Sequence, residues 1–310
     1  MDNSWDSSPR VEGCTFSSNS AEYYGGGMCN YDSSPTVEGC TFSGNSSGYF
    51  GGGMWCNWYS PSMANCIFWG DVPSEIYTYL LGGVRYSDVE GGWPGVGNIN
   101  ADPCFVEPGY WDPNGTPEDV NDDFWVEGDY HLLPDSPCIN VGTNTPPGGL
   151  PETDMDGEAR VMWETVDMGA DEFNPIRLGI VKKTRTGRAE FVYDCNVTFT
   201  NLWEFAIKNV RLEMIKASDN IDINEPNVSF GDIEFSPRES ITSIDTCTFT
   251  VDRSRAIEPA KIDWRVKCQR ADTGQPLELT INGVGSSGLE GAGEGKIDFG
   301  DLAELAGQWL

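Results

Sequence analysis

The sequence predicts an all-β protein: a parallel β-solenoid over residues 1–173, an immunoglobulin-like β-sandwich over 176–283, and a Gly-rich linker with a short C-terminal helix over 284–310. Three observations lead there. First, SSPRVEGCTFSSNSAEYYGGGM at 7–28 recurs as SSPTVEGCTFSGNSSGYFGGGM at 33–54 and fades into SPSMANCIFWGD at 60–71, with Cys14, Cys40 and Cys66 keeping an interval of 26 residues. A period of that size, poor in helix formers and rich in Gly, Ser, Asn and aromatics, is too short for a propeller blade and suits one coil of a solenoid. Second, from Pro175 the composition changes to longer alternating runs such as RAEFVYDCNVTFTN and AKIDWRVKCQR, about seven strands separated by turn residues, as a sandwich requires. Third, NGVGSSGLEGAGEG has linker composition and is followed by the apolar-periodic DFGDLAELAGQWL.

Within each coil, PTVEGCTF carries β-branched and aromatic residues. Val37 and Cys40 have opposite parity, so one straight strand cannot turn both inward, and a bend is expected near Glu38 and Gly39. Two short strands per copy follow. The GGG runs before Met28 and Met54 mark places where φ is positive or backbones approach closely, and Asn19 and Asn45 are placed to stack as corner amides. Cys29 and Cys56 are 27 residues apart, so the second copy holds one extra residue near Trp55. Residues 72–173 lose the period but keep short β-prone pieces, among them GVRYSDVEG, ADPCFVEP and DYHLLPDSPCINVG, which read as irregular final coils.

Charge divides the chain in the same place. The net charge is −30, and residues 1–173 hold 28 Asp and Glu against Arg10, Arg85 and Arg160 alone, while no lysine precedes Lys182. Such a field repels nucleic-acid phosphates and anionic membrane surfaces and leaves cations and uncharged polymers as partners. No apolar run reaches 18 residues, so membrane insertion is not expected. The ten cysteines include no C-x-x-C pair, which argues against a zinc ribbon or a dithiol redox motif; Cys14, Cys40 and Cys66 are expected as a row of small interior thiols. No charged and apolar leader precedes a repeat that is under way by residue 7, and the expectation is a piece of a longer exported protein, extracellular or at the cell surface.

The pairing of F-x-x-N (Phe16 to Asn19, Phe42 to Asn45) with GGGM resembles the polymorphic outer-membrane-protein type repeats of right-handed parallel β-helix proteins; the third copy departs, with Phe68 to Asp71 and no GGG. DYHLLPDSPCINVG followed by LPETDMDGEARV and VDMGADEF is similar to the terminal coils of secreted bacterial β-helix proteins. These resemblances imply a right-handed parallel β-helix and export. The tail resembles a dockerin-type half repeat. A calcium loop counted from Glu290 puts Glu294 at position 5, Gly295 at the sharp turn, Asp298 at position 9 and Asp301 at position 12, although position 1 is Glu and position 3 is Ala292. The resemblance implies calcium as a cofactor of the tail and a cohesin-like partner.

Two functional classes remain, with a structural surface scaffold as a third. A non-catalytic reading, adhesion or binding of a polysaccharide or cell-surface glycan, rests on the aromatics that recur at one region of successive coils: Tyr23, Tyr24, Tyr49, Phe50, Trp55, Trp58 and Tyr59. Most of these are expected in the core, with Tyr49, Trp55 and Trp58 as the candidate ligand-binding set. An enzyme reading, polysaccharide lyase or glycoside hydrolase with part of its catalytic coils outside this chain, needs a basic residue near clustered carboxylates, and Arg85 with Asp88 and Glu90 is the place where they come together in sequence. Asp122 and Asp123 are adjacent and point to opposite faces on a strand, and His131, the one histidine, reads as structural. The run from Asp154 to Asp156 has no carboxylate at position 12 of a calcium loop and reads as an Asx-rich turn.

Overall fold

The computed structural model of the chain describes residues 1–4, 7–79, 83–116, 118, 122–258 and 261–283. It is all-β: no α-helix occurs among these residues, and none of them lies in a helix long and apolar enough to cross a membrane. The expected C-terminal helix lies outside the described residues. The chain divides into two compact units, one of Met1–Met155 with Trp163–Phe173, the other of Asp156–Met162 with the chain from Asn174 onward.

The first unit is built on three parallel four-stranded sheets, each taking one strand from each successive copy of the repeat. One sheet orders Asp2–Ser4, Met28–Tyr31, Met54–Asn57 and Ile76–Thr78; the second, Arg10–Glu12, Thr36–Glu38, Ser62–Ala64 and Val84–Arg85; the third, Thr15–Ser17, Thr41–Ser43, Ile67–Trp69 and Asp88–Val89. Equivalent repeat residues face one another, as in Val11↔Val37↔Met63 and Phe16↔Phe42↔Phe68. The bend expected in VEGCTF is a left-handed residue: Gly13 and Gly39 both have φ of +54°, and Asn65, which fills the place in the third copy, has +55°. That one residue turns the chain from the second sheet to the third and directs both Val37 and Cys40 inward.

Inside, side chains stack in register. Phe16, Phe42 and Phe68 form a ring column with centroids 4.6 and 4.5 Å apart, beside Met28, Met54, Val37, Met63, Cys40 and Cys66. The glycine runs serve close approach as well as turning: Gly25 and Gly51 have φ of +63° and +65°, and a Cβ on Gly26 would collide with the Ser46 carbonyl. At the corner, Asn19 Nδ2 donates to Asn45 Oδ1 (2.9 Å), and Asn45 Nδ2 donates both to Asp71 Oδ1 (2.8 Å) and to the Phe16 carbonyl (2.9 Å).

Two sequence readings are corrected here. The extra residue near Trp55 does not shift the strand pairing; Cys29 lies opposite Trp55, and Asn30 opposite Cys56. Backbone hydrogen bonding keeps the register, and the surplus passes to the following turn, where Trp58 takes φ of +64°. The pieces read as final coils are not all coils. The fourth coil is shorter, with Met63 pairing Val84, and beyond it Phe105–Glu107 pairs antiparallel with Asp129–Leu132 and Tyr110–Asp112 with Phe124–Val126. Pro and Gly between these pieces break the period that parallel stacking needs.

The second unit holds two antiparallel five-stranded sheets. One orders Ile176–Arg185, Glu190–Thr200, Cys247–Asp252 and Ile221–Glu225, with Ser240–Thr242 also on Glu190–Thr200; the other orders Asn227–Ser229, Ile207–Lys216, Asp263–Arg270 and Pro276–Ile281, with Glu234–Phe235 also on Ile207–Lys216. Alternation is clean: in Cys247–Asp252, Cys247, Phe249 and Val251 are buried and the residues between them are not. The buried faces meet where Phe199 of one sheet lies 6.2 Å from Phe235 of the other, with Phe230 beside both.

Candidate functional site

The repeat that stacks phenylalanines inside also stacks aromatics outside. Tyr23 and Tyr49, one repeat apart, have parallel rings 6.0 Å apart, and Tyr24 and Phe50 repeat this at 6.2 Å. Phe50 continues to Tyr77 at 4.4 Å, Tyr77 meets Tyr79 edge-on at 5.7 Å, and Tyr79 stacks on Trp58 at 5.7 Å. Trp55 lies under this surface, 4.8 Å from Tyr24 and 6.4 Å from Tyr31. The result is a continuous aromatic surface running along successive coils, held by backbone bonds such as Tyr49 N to the Tyr23 carbonyl (2.9 Å).

The expectation that most of these rings belong to the core is overturned. Trp58 is 64% exposed, Tyr49 57% and Tyr23 54%, and Tyr24, Phe50 and Tyr59 are exposed too; Trp55, at 6%, is the buried one. The interior is already filled by the phenylalanine and methionine columns, so rings beyond the glycine turn have no room inside. Tyr77 and Tyr79 belong to the surface and were missed, because the third copy has no GGG and their alignment with Phe50 and Trp58 is visible only once the coils are stacked. A row of phenol and indole rings presents apolar edges and hydroxyls together, which suits ligands that are apolar on one face and hydroxylated at the rim.

The proposed acid–base set is spread out. Arg85 is exposed, with no ion-pair partner among the described residues; Asp88 is buried and accepts hydrogen bonds from Ala101 N (3.2 Å) and Cys138 Sγ (3.3 Å); Glu90 is exposed and accepts from Gly70 N (2.8 Å). Burial raises the Asp88 carboxyl to about 6. Asp122 accepts from Thr116 Oγ1, His131 Nδ1 pairs with Asp129, and Asp154 accepts from Glu172 N (3.2 Å). Glu290, Glu294, Asp298 and Asp301 lie outside the described residues.

Sequence reasoning also missed a buried carboxyl pair. Asp71 stands where the first two coils have asparagine, and its backbone N donates to Glu75 Oε1 (3.0 Å). Both side chains are buried. Burial raises both carboxyls, Asp71 to about 7 and Glu75, which also faces the Asp71 charge, to about 11.

No protein-family model matches this chain, and no curated protein matches it. Among solved structures, an FixG-related protein from Vibrio parahaemolyticus is similar over 36% of this chain and 98% of its own, at 10% identity and a TM-score of 0.16.

Proposed function

We propose that the chain is an exported, surface-associated and non-catalytic binding module, a right-handed parallel β-helix carrying an immunoglobulin-like sandwich and a dockerin-like tail, and that its aromatic surface binds a neutral polysaccharide or cell-surface glycan. The observation that carries the reading is the continuous exposed surface from Tyr23 through Phe50 to Trp58. Apolar surface of this extent left open to water marks a binding site. Its repeat follows the coil spacing, so it matches a ligand that is itself a repeating chain. The excess of carboxylates in residues 1–173 disfavours uronates and sulfated glycans, leaving uncharged chains as the best fit. In the tail, Glu290, Glu294, Asp298 and Asp301 would hold calcium and meet a cohesin-like partner.

The test is binding of the whole chain to insoluble neutral glycans and to a uronate polymer, with product ends recorded. Retention on a neutral glycan, lost in Trp58→Ala and Tyr49→Ala and accompanied by no new reducing or unsaturated ends, supports the reading. Turnover would favour the lyase or hydrolase alternative and send the search to Arg85, and retention on neither polymer would leave a surface scaffold.

A further inference from the structure

The thiol column remains unused by this reading. Cys14, Cys40 and Cys66 each follow the left-handed residue of their coil and lie one above another, because Thr15, Thr41 and Ile67, the next residues, are paired in register. Thr41 N donates to the Cys14 carbonyl (3.0 Å) and Ile67 N to the Cys40 carbonyl (2.9 Å), so the backbones are locked at strand spacing at the cysteines themselves. Strand spacing is about 4.8 Å, inside the Cα separation a disulfide spans. The three thiols are free and differ in environment: Cys40 and Cys66 are fully buried, while Cys14 is exposed.

We propose that Cys14 and Cys40 form a redox-modification site, in which Cys14 is the entry thiol for a low-molecular-weight disulfide and Cys40 resolves the adduct to a disulfide between neighbouring coils. The Cys14 thiolate attacks one sulfur of the incoming disulfide, forming a mixed disulfide and releasing one thiolate. Cys40 gives up its proton to that thiolate and attacks Cys14 Sγ, releasing the second thiol. Two protein thiols are oxidised, and one small disulfide is reduced to two thiols.

The choice of partners follows from access. An oxidant from solution meets Cys14 first, and the sulfur stacked on Cys14 is that of Cys40; Cys66 is a further coil away and stays a thiol, its hydrogen bonded to the Ala64 carbonyl (3.2 Å). The proton equilibria agree in direction. The Cys40 hydrogen bond lowers Cys14 to about 6, while burial and the same bond hold Cys40 well above the usual thiol range. Thus Cys14 is the thiolate at neutral pH and Cys40 the proton donor that stabilises it.

The test treats the whole chain with oxidised glutathione at neutral pH, quenches with acid, alkylates under denaturing conditions and maps peptides without reduction. The expected result is a Cys14–Cys40 linked peptide with Cys66 alkylated. Cys40→Ala stops at a glutathione adduct on Cys14, Cys14→Ser gives no link at Cys40, and Cys66→Ala leaves the product unchanged. In the unsubstituted chain, brief alkylation labels Cys14 before Cys40 and Cys66, with a midpoint near pH 6. A Cys40–Cys66 link, a Cys14–glutathione adduct that persists in the unsubstituted chain, or reaction of Cys40 at an undiminished rate in Cys14→Ser would each overturn the proposal. Because the first readout uses the unsubstituted chain, it does not depend on how the variants fold.

Discussion

Asp71 Oδ1 accepts both the backbone N–H and the side-chain amide of Asn45, at 2.6 and 2.8 Å, continuing with a carboxylate a column that Asn19 and Asn45 begin with amides. An asparagine would make the same two acceptor bonds and turn an amide donor where Asp71 now needs a proton. Asp71→Asn is therefore expected to raise stability at pH 8, by on the order of 1–3 kcal/mol, since it removes a buried ionising group. Chemical denaturation of the two proteins at that pH checks this; a less stable variant would show that the carboxylate itself is required.

The same pair sets a pH dependence. A carboxyl whose folded pKa lies above its unfolded value binds more protons folded than unfolded, so its contribution is fully present below the unfolded pKa and is lost as pH rises through the folded one. For Asp71 that window runs from about 4 to about 7, and for Glu75 from about 4.5 to about 11. Stability from this corner should fall from pH 4 towards pH 7 and continue downward into the alkaline range. Asp71→Asn should flatten the first part of the slope, and a parallel slope in the variant would count against the assignment.

Gly39 separates two strands at φ of +54°. Gly39→Ala puts a Cβ on a left-handed residue and is expected to cost about 1–2 kcal/mol. Asn65→Gly relieves the same strain in the third coil but deletes the amide that donates to Glu38 Oε1 (2.5 Å) and accepts from Thr143 N (2.7 Å), so it should destabilise despite the easier backbone. Thermal melts of the two variants give the comparison.

Phe42 lies between Phe16 and Phe68 in the interior column. Phe42→Ala leaves a cavity with stacked rings on both sides and should cost about 3–5 kcal/mol. Trp58→Ala, on the outer surface, should leave the melting temperature within a degree or two while removing glycan retention. A Trp58→Ala chain that melts as low as Phe42→Ala would place Trp58 in the packing and not in the binding surface.

In the second unit, Arg265 reaches Glu213 at 2.8 Å on one neighbouring strand and Glu278 at 3.3 Å on the other. All three side chains keep contact with water, so Arg265→Met is expected to cost under about 1 kcal/mol. A loss several times larger in urea denaturation would mean that the three charges act as a network.

The repeat made much of the first unit legible in the sequence. Identical residues one period apart must meet identical partners, so the bend at Gly39, the tight GGG turn and the asparagine corner were all expected from residue type. The charge division and the alternating runs after Pro175 likewise located the antiparallel half. Where the period fails, so did the reading: residues 105–132 pair antiparallel, and Cys56 stands opposite Asn30 because hydrogen bonds along a strand keep register more strongly than side-chain identity does.

Thus the sequence by itself determined that successive copies stack, which residue types recur, and that the first half is acidic. Only the tertiary structure decided which face each column takes. The interior has room for one phenylalanine column and its methionine and thiol neighbours, so the other aromatics went outward as a surface, Asp71 was buried against Glu75, and Cys14 was left open above Cys40. Inside and outside are properties of the packed stack, and a local run of residues does not contain them.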